Sequence, residues 1–400
     1  MQTEKIITRE DLRHKKVLVR TDFNVPTENG TVSDNSRIKN ALPLIKFLKE
    51  ADAKIILISH MGKTTCPNLS QSLKIVAEEV SRIYDSEVIF INNCLDENAK
   101  NIIGQSPNDA VILMENLRFH PGEEKCDPEF ARRLASSADF YINEAFSVSH
   151  RKHASIFEIP RFLPHAVGFS FQNEIDIIDR VLGKTESPKM CIIGGAKLST
   201  KINLLKNLSA KIDKLALGGE IAGAFLSFFG NSSMKIFDSE TYREDVAAVV
   251  ENARNCNCQL ILPTDFSALV NEGGVFHYTV ISSGNESSAV FDIGPGSIEL
   301  FKKHIRESKI VLWNGPLGLF EKAPFDFGTK SIAKEIAQLT RDGKLISVIG
   351  GGDTGFAMRQ SGVADDLSHI SSAGGAFLAY LEGGELPGIA AMKDACILKK

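Results

Sequence analysis

Little in this chain marks it for a membrane, a nucleic acid or a disulfide scaffold. No uncharged apolar run approaches the ~18 residues that a membrane-crossing helix needs. The opening Met1-Gln2-Thr3-Glu4-Lys5, followed by Arg9-Glu10-Asp11, has no apolar signal core. Lys and Arg number 46 against 50 Asp and Glu, a net charge of −4, so the basic coat of a nucleic-acid binder is absent. The 7 cysteines are odd in number and scattered, with no Cys-x-x-Cys and no paired His spacing, which argues against both disulfides and structural zinc. Cys256-Asn257-Cys258 is the one close pair and reads as two free thiols near a helix end. No period of 20 to 50 residues recurs. The expected setting is the cytoplasm, with neither membrane nor nucleic acid as partner.

What is present is ordinary globular composition, 43% hydrophobic and 24% charged over 400 residues, enough for two sizeable domains at the usual ~150 residues each. Short β-rich runs alternate with amphipathic stretches. The pattern predicts strands over 16–23, 53–60, 87–92, 109–116 and 139–146, then over 189–195, 214–219, 259–266, 309–314 and 344–350. Helical patterns such as 37–50 and 70–84 lie between them. Ile55-Ile56-Leu57-Ile58 and Val111-Ile112-Leu113-Met114 are continuously apolar, as parallel strands covered on both faces are. Two prolines and Gly168 interrupt the pattern over 160–172, before a helical stretch at 173–182 that reads as a connector. The expectation is an α/β protein: two doubly wound, Rossmann-like parallel-sheet domains joined by a hinge helix, covering 1–170 and 171–381.

In open α/β sheets ligands bind beyond the carboxyl ends of the strands. In the first half those positions hold Asp22 and Asn24, His60-Met61-Gly62-Lys63, Glu115-Asn116-Leu117-Arg118 and His150-Arg151-Lys152-His153, while Arg37 opens the first long helix. Forked guanidinium groups suit carboxylate and phosphate, so Arg37, Arg118 and Arg151 read as a clamp for a small polyanion. The histidines suit either general-base work or, beside so many cations, plain hydrogen bonding with a depressed pKa.

The second half carries glycines at the same places: Gly194-Gly195-Ala196-Lys197, Gly218-Gly219, Gly294-Pro295-Gly296, Asn314-Gly315-Pro316 and 350–355. Glycine lets backbone N–H groups approach phosphate oxygens. Lys197 and Lys201, four apart, share a helix face. Asp353 inside its glycine turn suits a Mg²⁺ ligand, since a bare carboxylate there repels phosphate. Three motifs are decoys. Gly62-Lys63-Thr64 ends like a P-loop, but Leu57 stands where its first glycine belongs. Asp326-Phe327-Gly328 has no His-Arg-Asp partner, because Lys152 follows His150-Arg151. Gly350-x-Gly352-x-x-Gly355 satisfies a dinucleotide fingerprint but lacks the acid expected about 20 residues on. One domain thus reads as holding a small anion and the other a metal-nucleotide, with their rims across a cleft, for which phosphoryl transfer is the simplest chemistry. A nicotinamide dehydrogenase and a non-catalytic nucleotide-binding scaffold remain the competing readings.

These segments together resemble phosphoglycerate kinase over essentially the whole chain. The resemblance rests on Val17–Pro26, Ser59–Gly62, Glu115–His120, His150–Ser155, Gly194–Lys197, Pro263–Asp265, Trp313–Gly318, Gly350–Thr354 and Leu386–Gly388. It implies reversible transfer of the γ-phosphoryl of MgATP to the carboxylate of 3-phosphoglycerate, giving 1,3-bisphosphoglycerate and MgADP, by a monomer. Asp22, Phe23, Asn24, Arg37, His60, Met61, Gly62, Lys63, Arg118 and Arg151 would form the phosphoglycerate site. Lys197, Lys201, Gly218, Gly219, Gly294, Asn314, Glu321, Gly351, Gly352, Asp353 and Thr354 would bind the nucleotide, with Asp353 on Mg²⁺. Arg37, Lys201, Gly352 and Gly375 would act on the moving phosphoryl group, and residues 382–400 would return to the first domain. Lys63 stands where the family uses arginine, Glu220 and Ala373 where it uses glycine, and 275–290 lacks a Trp-containing stretch. Glu220 reads as an outward side chain, and Ala373 is strained if its position needs φ > 0.

Overall fold

The computed structural model describes residues 6–63, 68–230, 241–272, 275–282 and 288–399. Thr64 of the false P-loop, Cys66 and part of the 275–290 stretch lie outside them. The chain forms two compact units, Met1–Ile175 with Glu385–Lys400, and Asp176–Gly384. The boundary falls inside the helix Phe169–Leu182, which begins four residues before the predicted connector.

An eight-stranded sheet organises the first unit in the order Ile6–Ile7, Cys396–Leu398, His165–Val167, Phe140–Asn143, Lys16–Arg20, Lys54–Ile58, Val111–Met114, Val88–Ile91. Every pairing in it is parallel. Lys54–Ile58 and Val111–Met114 are buried at every position, as helices on both faces require. The chain leaves Lys16–Arg20 towards Lys54–Ile58 and later returns on its other side at Phe140–Asn143. A crevice must therefore open where those connections diverge. The carboxyl-terminal strand Cys396–Leu398 lies between Ile6–Ile7 and His165–Val167, which fastens the end of the chain into this sheet.

The second unit holds a six-stranded parallel sheet in the order Gln259–Ile261, Lys214–Leu217, Lys189–Ile193, Ile310–Asn314, Ile346–Gly350, His369–Ile370. Numbered along the chain that is 3-2-1-4-5-6, so the switch point lies between Lys189–Ile193 and Ile310–Asn314. The predicted strand over 259–266 is corrected here. Pro263 supplies no ladder N–H, and Phe266–Glu272 instead joins Val275–Ile281 and Ser288–Ile293 in a separate antiparallel sheet.

Three lysines at the amino ends of strands cap helices. Lys54 Nζ donates to the carbonyls of Ile103 (2.5 Å) and Gly104 (3.5 Å). Lys189 Nζ reaches those of Arg180 (2.8 Å), Val181 (3.0 Å) and Gly183 at the end of Phe169–Leu182. Lys214 Nζ meets Glu307 Oε2 (2.7 Å) and the His304 carbonyl (3.4 Å) beside the end of Pro295–Arg306. Each ammonium satisfies carbonyls that a helix terminus leaves open and meets the negative end of its dipole.

Candidate active site

In the first unit the strand ends bring predicted residues together. Arg37 Nη1 and Ser147 Oγ both donate to Asp22 Oδ2. Burial would raise the Asp22 carboxyl, but Arg37, His60, Ser147 and Arg20 outweigh it and lower it. Asn24 Oδ1 accepts from Gly62 N at 2.9 Å, and the Phe23 N–H donates to Ser59 Oγ at 2.8 Å. Asn116 pins the next loop, accepting from Met61 N (3.2 Å) and donating to the Met61 and Gln71 carbonyls (2.7 and 2.9 Å). Arg118 is 2% exposed, donates through Nη1 to the Gly62 carbonyl and ion-pairs with Glu124 through Nε. Its buried Nη2 finds no hydrogen-bond partner among the described residues, and an arriving oxyanion would supply one. Arg151 is exposed, with Nε 3.3 Å from His150 Nε2.

The His60 ring is almost fully buried. Desolvation first, then the positive charges of Arg20, Arg118 and Arg151, hold its pKa well below the usual value, against the opposing pull of Asp22. His150 is lowered by burial and Arg151. Of the two roles left open for these histidines, plain hydrogen bonding is the one their surroundings favour. Lys63 is exposed at the rim. Gly62 adopts φ +69°, where a side chain would also strike Gln71.

In the second unit a cavity of about 420 Å³ opens at the switch point. Gly195 and Ala196, Gly219 and Glu220, Phe266, Phe291 and Asp292, the run Pro316–Glu321 and Asp353 line it, with no Lys or Arg among its lining residues. The glycines here permit close backbone contact. A Cβ on Gly194 would sit 2.0 Å from the Pro316 carbonyl oxygen, and one on Gly219 (φ +58°) 2.8 Å from the Gly195 backbone. Lys201 Nζ donates to the carbonyls of Gly194 (2.6 Å) and Asn314 (3.3 Å), one on each side of the switch point. Burial lowers its pKa to about 8 although Asp353 pulls the other way.

Asn314 Nδ2 donates to the Gly350 carbonyl (2.8 Å), and its buried Oδ1 has no partner among the described residues. Thr354 Oγ1 accepts from Gly315 N (2.7 Å), drawing the Gly351 turn (φ +92°) against the next strand end. Gly352 begins the helix Gly352–Gln360 and Gly375 the helix Gly375–Leu381, while Asp353 and Lys197 are exposed.

Several expectations change. Glu220 is exposed, as an outward side chain would be, yet it also stands at the cavity's edge, and partial burial raises its carboxyl. Ala373 carries no strain, because the positive φ falls on Gly374 (49°), while the Ala373 N–H donates to Ser371 Oγ at 3.1 Å. Gly218 packs on Leu317, behind the cavity wall. Gly294 is not among the lining residues either, although Ile293 beside it is. The helix behind it has its N-terminal donors filled by Asp265, which accepts from Gly296 N (2.8 Å) and Ser297 N (2.6 Å). Sequence reasoning missed Ser147 and Arg20 as site residues. Arg20, the charge that closes the apolar run Val17-Leu18-Val19, is the one visible signal.

A glycine-lined cavity at a switch point, with a half-buried lysine and an exposed carboxylate at its edge, places the second unit among α/β phosphotransferases. Comparison with known proteins narrows that class. Residues 7–384 match the family model described as phosphoglycerate kinase. The chain is 42% identical over 387 residues to the phosphoglycerate kinase of Chelativorans sp. (strain BNC1), covering 96% of this chain and 97% of that one. It is 43% identical over 388 residues to that of Wolbachia pipientis subsp. Culex pipiens (strain wPip), covering 96% and 98%. The solved phosphoglycerate kinase of Coxiella burnetii superposes with TM-score 0.85 at 31% identity, covering 97% of this chain and 98% of that one. The chain belongs to the phosphoglycerate kinase family, glycolytic transferases that move a phosphoryl group between ATP and 3-phosphoglycerate.

Proposed function

We propose that this chain moves the γ-phosphoryl of MgATP reversibly to the 3-phosphoglycerate carboxylate, with the first unit holding phosphoglycerate and the second the nucleotide. The observation that carries the assignment of roles is Lys201, its ammonium held across the switch point by two carbonyls beside the nucleotide-sized cavity. Arriving phosphate oxygens offer that ammonium better partners than neutral carbonyls, so it follows the phosphoryl group. Asp22 orients Arg37, which neutralises the reacting carboxylate. That carboxylate is already ionised at pH 7 and needs no base to activate it. Arg118, Arg151 and Lys63, with His60 and Asn24, hold the rest of the anion, and Phe23, Met61 and Gly62 shape the loops that present them. The N–H groups opening the helices at Gly352 and Gly375 receive the transferred charge. Lys197, Gly218, Gly219, Gly294, Asn314, Glu321, Gly351 and Thr354 belong to the nucleotide side of this reading. For Gly218 and Gly294 the support is the family resemblance alone.

Mg²⁺ fits the donor set. No group of three or more His, Cys, Asp or Glu side chains forms a metal cage among the described residues, and of the carboxylates lining the cavity, those of Glu220, Asp292, Glu321 and Asp353, that of Asp353 stands in the glycine turn where phosphates would arrive. One carboxylate plus substrate phosphates is how Mg²⁺ is commonly held. When bound it would neutralise phosphate charge. Transfer in line requires both substrates in one water-poor place, for which hinge closure is the proposed means, in a cytoplasmic monomer. A coupled assay with 3-phosphoglycerate and MgATP tests the reading: turnover supports it, and nucleotide binding without turnover rejects it. Separate titrations with ATP and NAD decide the dehydrogenase alternative.

A further inference from the structure

A string of buried polar groups runs beneath the cationic rim, all within the first unit. Glu123, fully buried, accepts from Ser155 N at 2.9 Å and from Ser155 Oγ at 2.6 Å. Ser155 Oγ in turn accepts from Arg20 Nε at 2.9 Å. Arg20, itself fully buried, gives Nη1 to the Thr21 carbonyl and places Nη2 3.2 Å from His60 Nδ1. A guanidinium only donates, so this last contact requires a lone pair on Nδ1 and puts the ring hydrogen on Nε2. The rival arrangement, a hydrogen on Nδ1 shared with Asp22, fails on distance. Asp22 Oδ1 is 4.0 Å away, beyond hydrogen-bond reach, and Oδ2 already accepts from Arg37 and Ser147.

We infer that Arg20 is a positioning residue that locks His60 as the neutral Nε2–H tautomer, making it a fixed hydrogen-bond donor in the proposed phosphoglycerate site. The inference rests on that reading of the site for its kinetic consequence, though not for the tautomer itself. The charged groups facing the ring are Arg20, Asp22, Arg118 and Arg151, and burial with the three guanidiniums outweighs the one carboxylate. Glu123 stays ionised at the far end of the string. Burial would raise it, but His153, Arg20 and Ser155 together hold it low. A ring free to present Nδ1–H on one side and a lone pair on the other would turn that lone pair on an anionic substrate. The lock removes the choice.

Two-bond ¹H–¹⁵N correlation spectra of the intact protein labelled in histidine, with His60 assigned by its loss in His60→Gln, read the tautomer directly. The expected spectrum shows Nε2–H alone, unchanged between about pH 6 and 8. An Nδ1–H ring or an imidazolium at neutral pH overturns the inference. In Arg20→Met the ring should gain Nδ1–H character or begin to titrate, and the KM for 3-phosphoglycerate should rise roughly tenfold, with kcat moving less than about threefold. Arg20→Lys, which keeps the charge and a donor, should recover much of the Nε2–H signal. Should Arg20→Met not fold, Ser155→Ala loosens the same string from further away and should shift the ring in the same direction. Folded Arg20 variants with an unchanged His60 spectrum also reject the lock. Failure of the proposed function would show separately, as absent turnover with the wild-type spectrum intact.

Discussion

The two units build the carboxyl margins of their sheets in opposite ways. The first gathers charged side chains at the ends of its strands and wires them together through carboxylates, as in Arg37 with Asp22 and Arg118 with Glu124. The second keeps cations out of its cavity wall and brings backbone to the rim, with Lys201 as the half-buried cation beside it. A small rigid polyanion rewards forked, directional donors. A nucleotide needs a long apolar slot ending in backbone N–H groups. It follows that the first rim should break when charge is removed and the second when a methyl group is added.

The largest effect belongs to the residues proposed to touch the moving group. Arg37→Ala and Lys201→Ala should each lower kcat by at least ~100-fold, a loss of roughly 2.7 kcal/mol of transition-state stabilisation. Near-normal turnover in both would falsify the roles given to them. Next comes the second rim. Gly194→Ala puts a Cβ 2.0 Å from a backbone oxygen that cannot step aside, so the Pro316 loop must move. Thermal unfolding should come earlier and the KM for MgATP should rise by about tenfold, while binding of 3-phosphoglycerate is spared. Equal damage to both substrates would erase the contrast between the rims.

The Lys201 ammonium supplies a pH test. Its folded pKa is depressed, from 10.5 to about 8, so the folded chain sheds that proton before the unfolded chain does. The stability cost of burying the charge is full below pH 8 and is relieved as pH rises from 8 towards 10.5. Turnover should run the other way, declining above about pH 8 as the charge is lost, and Lys201→Arg should flatten that limb. A profile flat through pH 9 in the wild type would remove Lys201 from the charged step. Lys63→Arg is the smallest change. A restored fork at an exposed position should tighten 3-phosphoglycerate by no more than a few-fold, measured by calorimetric titration.

Much of the architecture was legible because parallel strands covered on both faces read as apolar runs, and each of the ten predicted strands overlaps a strand of one of the two parallel sheets. The antiparallel sheet of Phe266–Glu272, Val275–Ile281 and Ser288–Ile293 was not, since its strands mix polar with apolar residues and the first follows Pro263 with no helix between. Candidate ligands were readable where they follow strands directly. The supporting pairs were not: Ser147 lies 125 residues from Asp22, and Ser155 lies 135 residues from Arg20. Nothing local in the sequence encodes such meetings. Ala373 shows the same limit at short range, because which of two neighbours takes the left-handed turn is decided by the backbone around Gly374.

The chemistry collects at the carboxyl margin of each sheet, while Lys54, Lys189 and Lys214 work at the opposite margin. Their ammonium groups rivet helix tails to the floor of the sheets, at the far end of the strands from the candidate ligands. For Lys189 the riveted tail belongs to the helix in which the unit boundary falls.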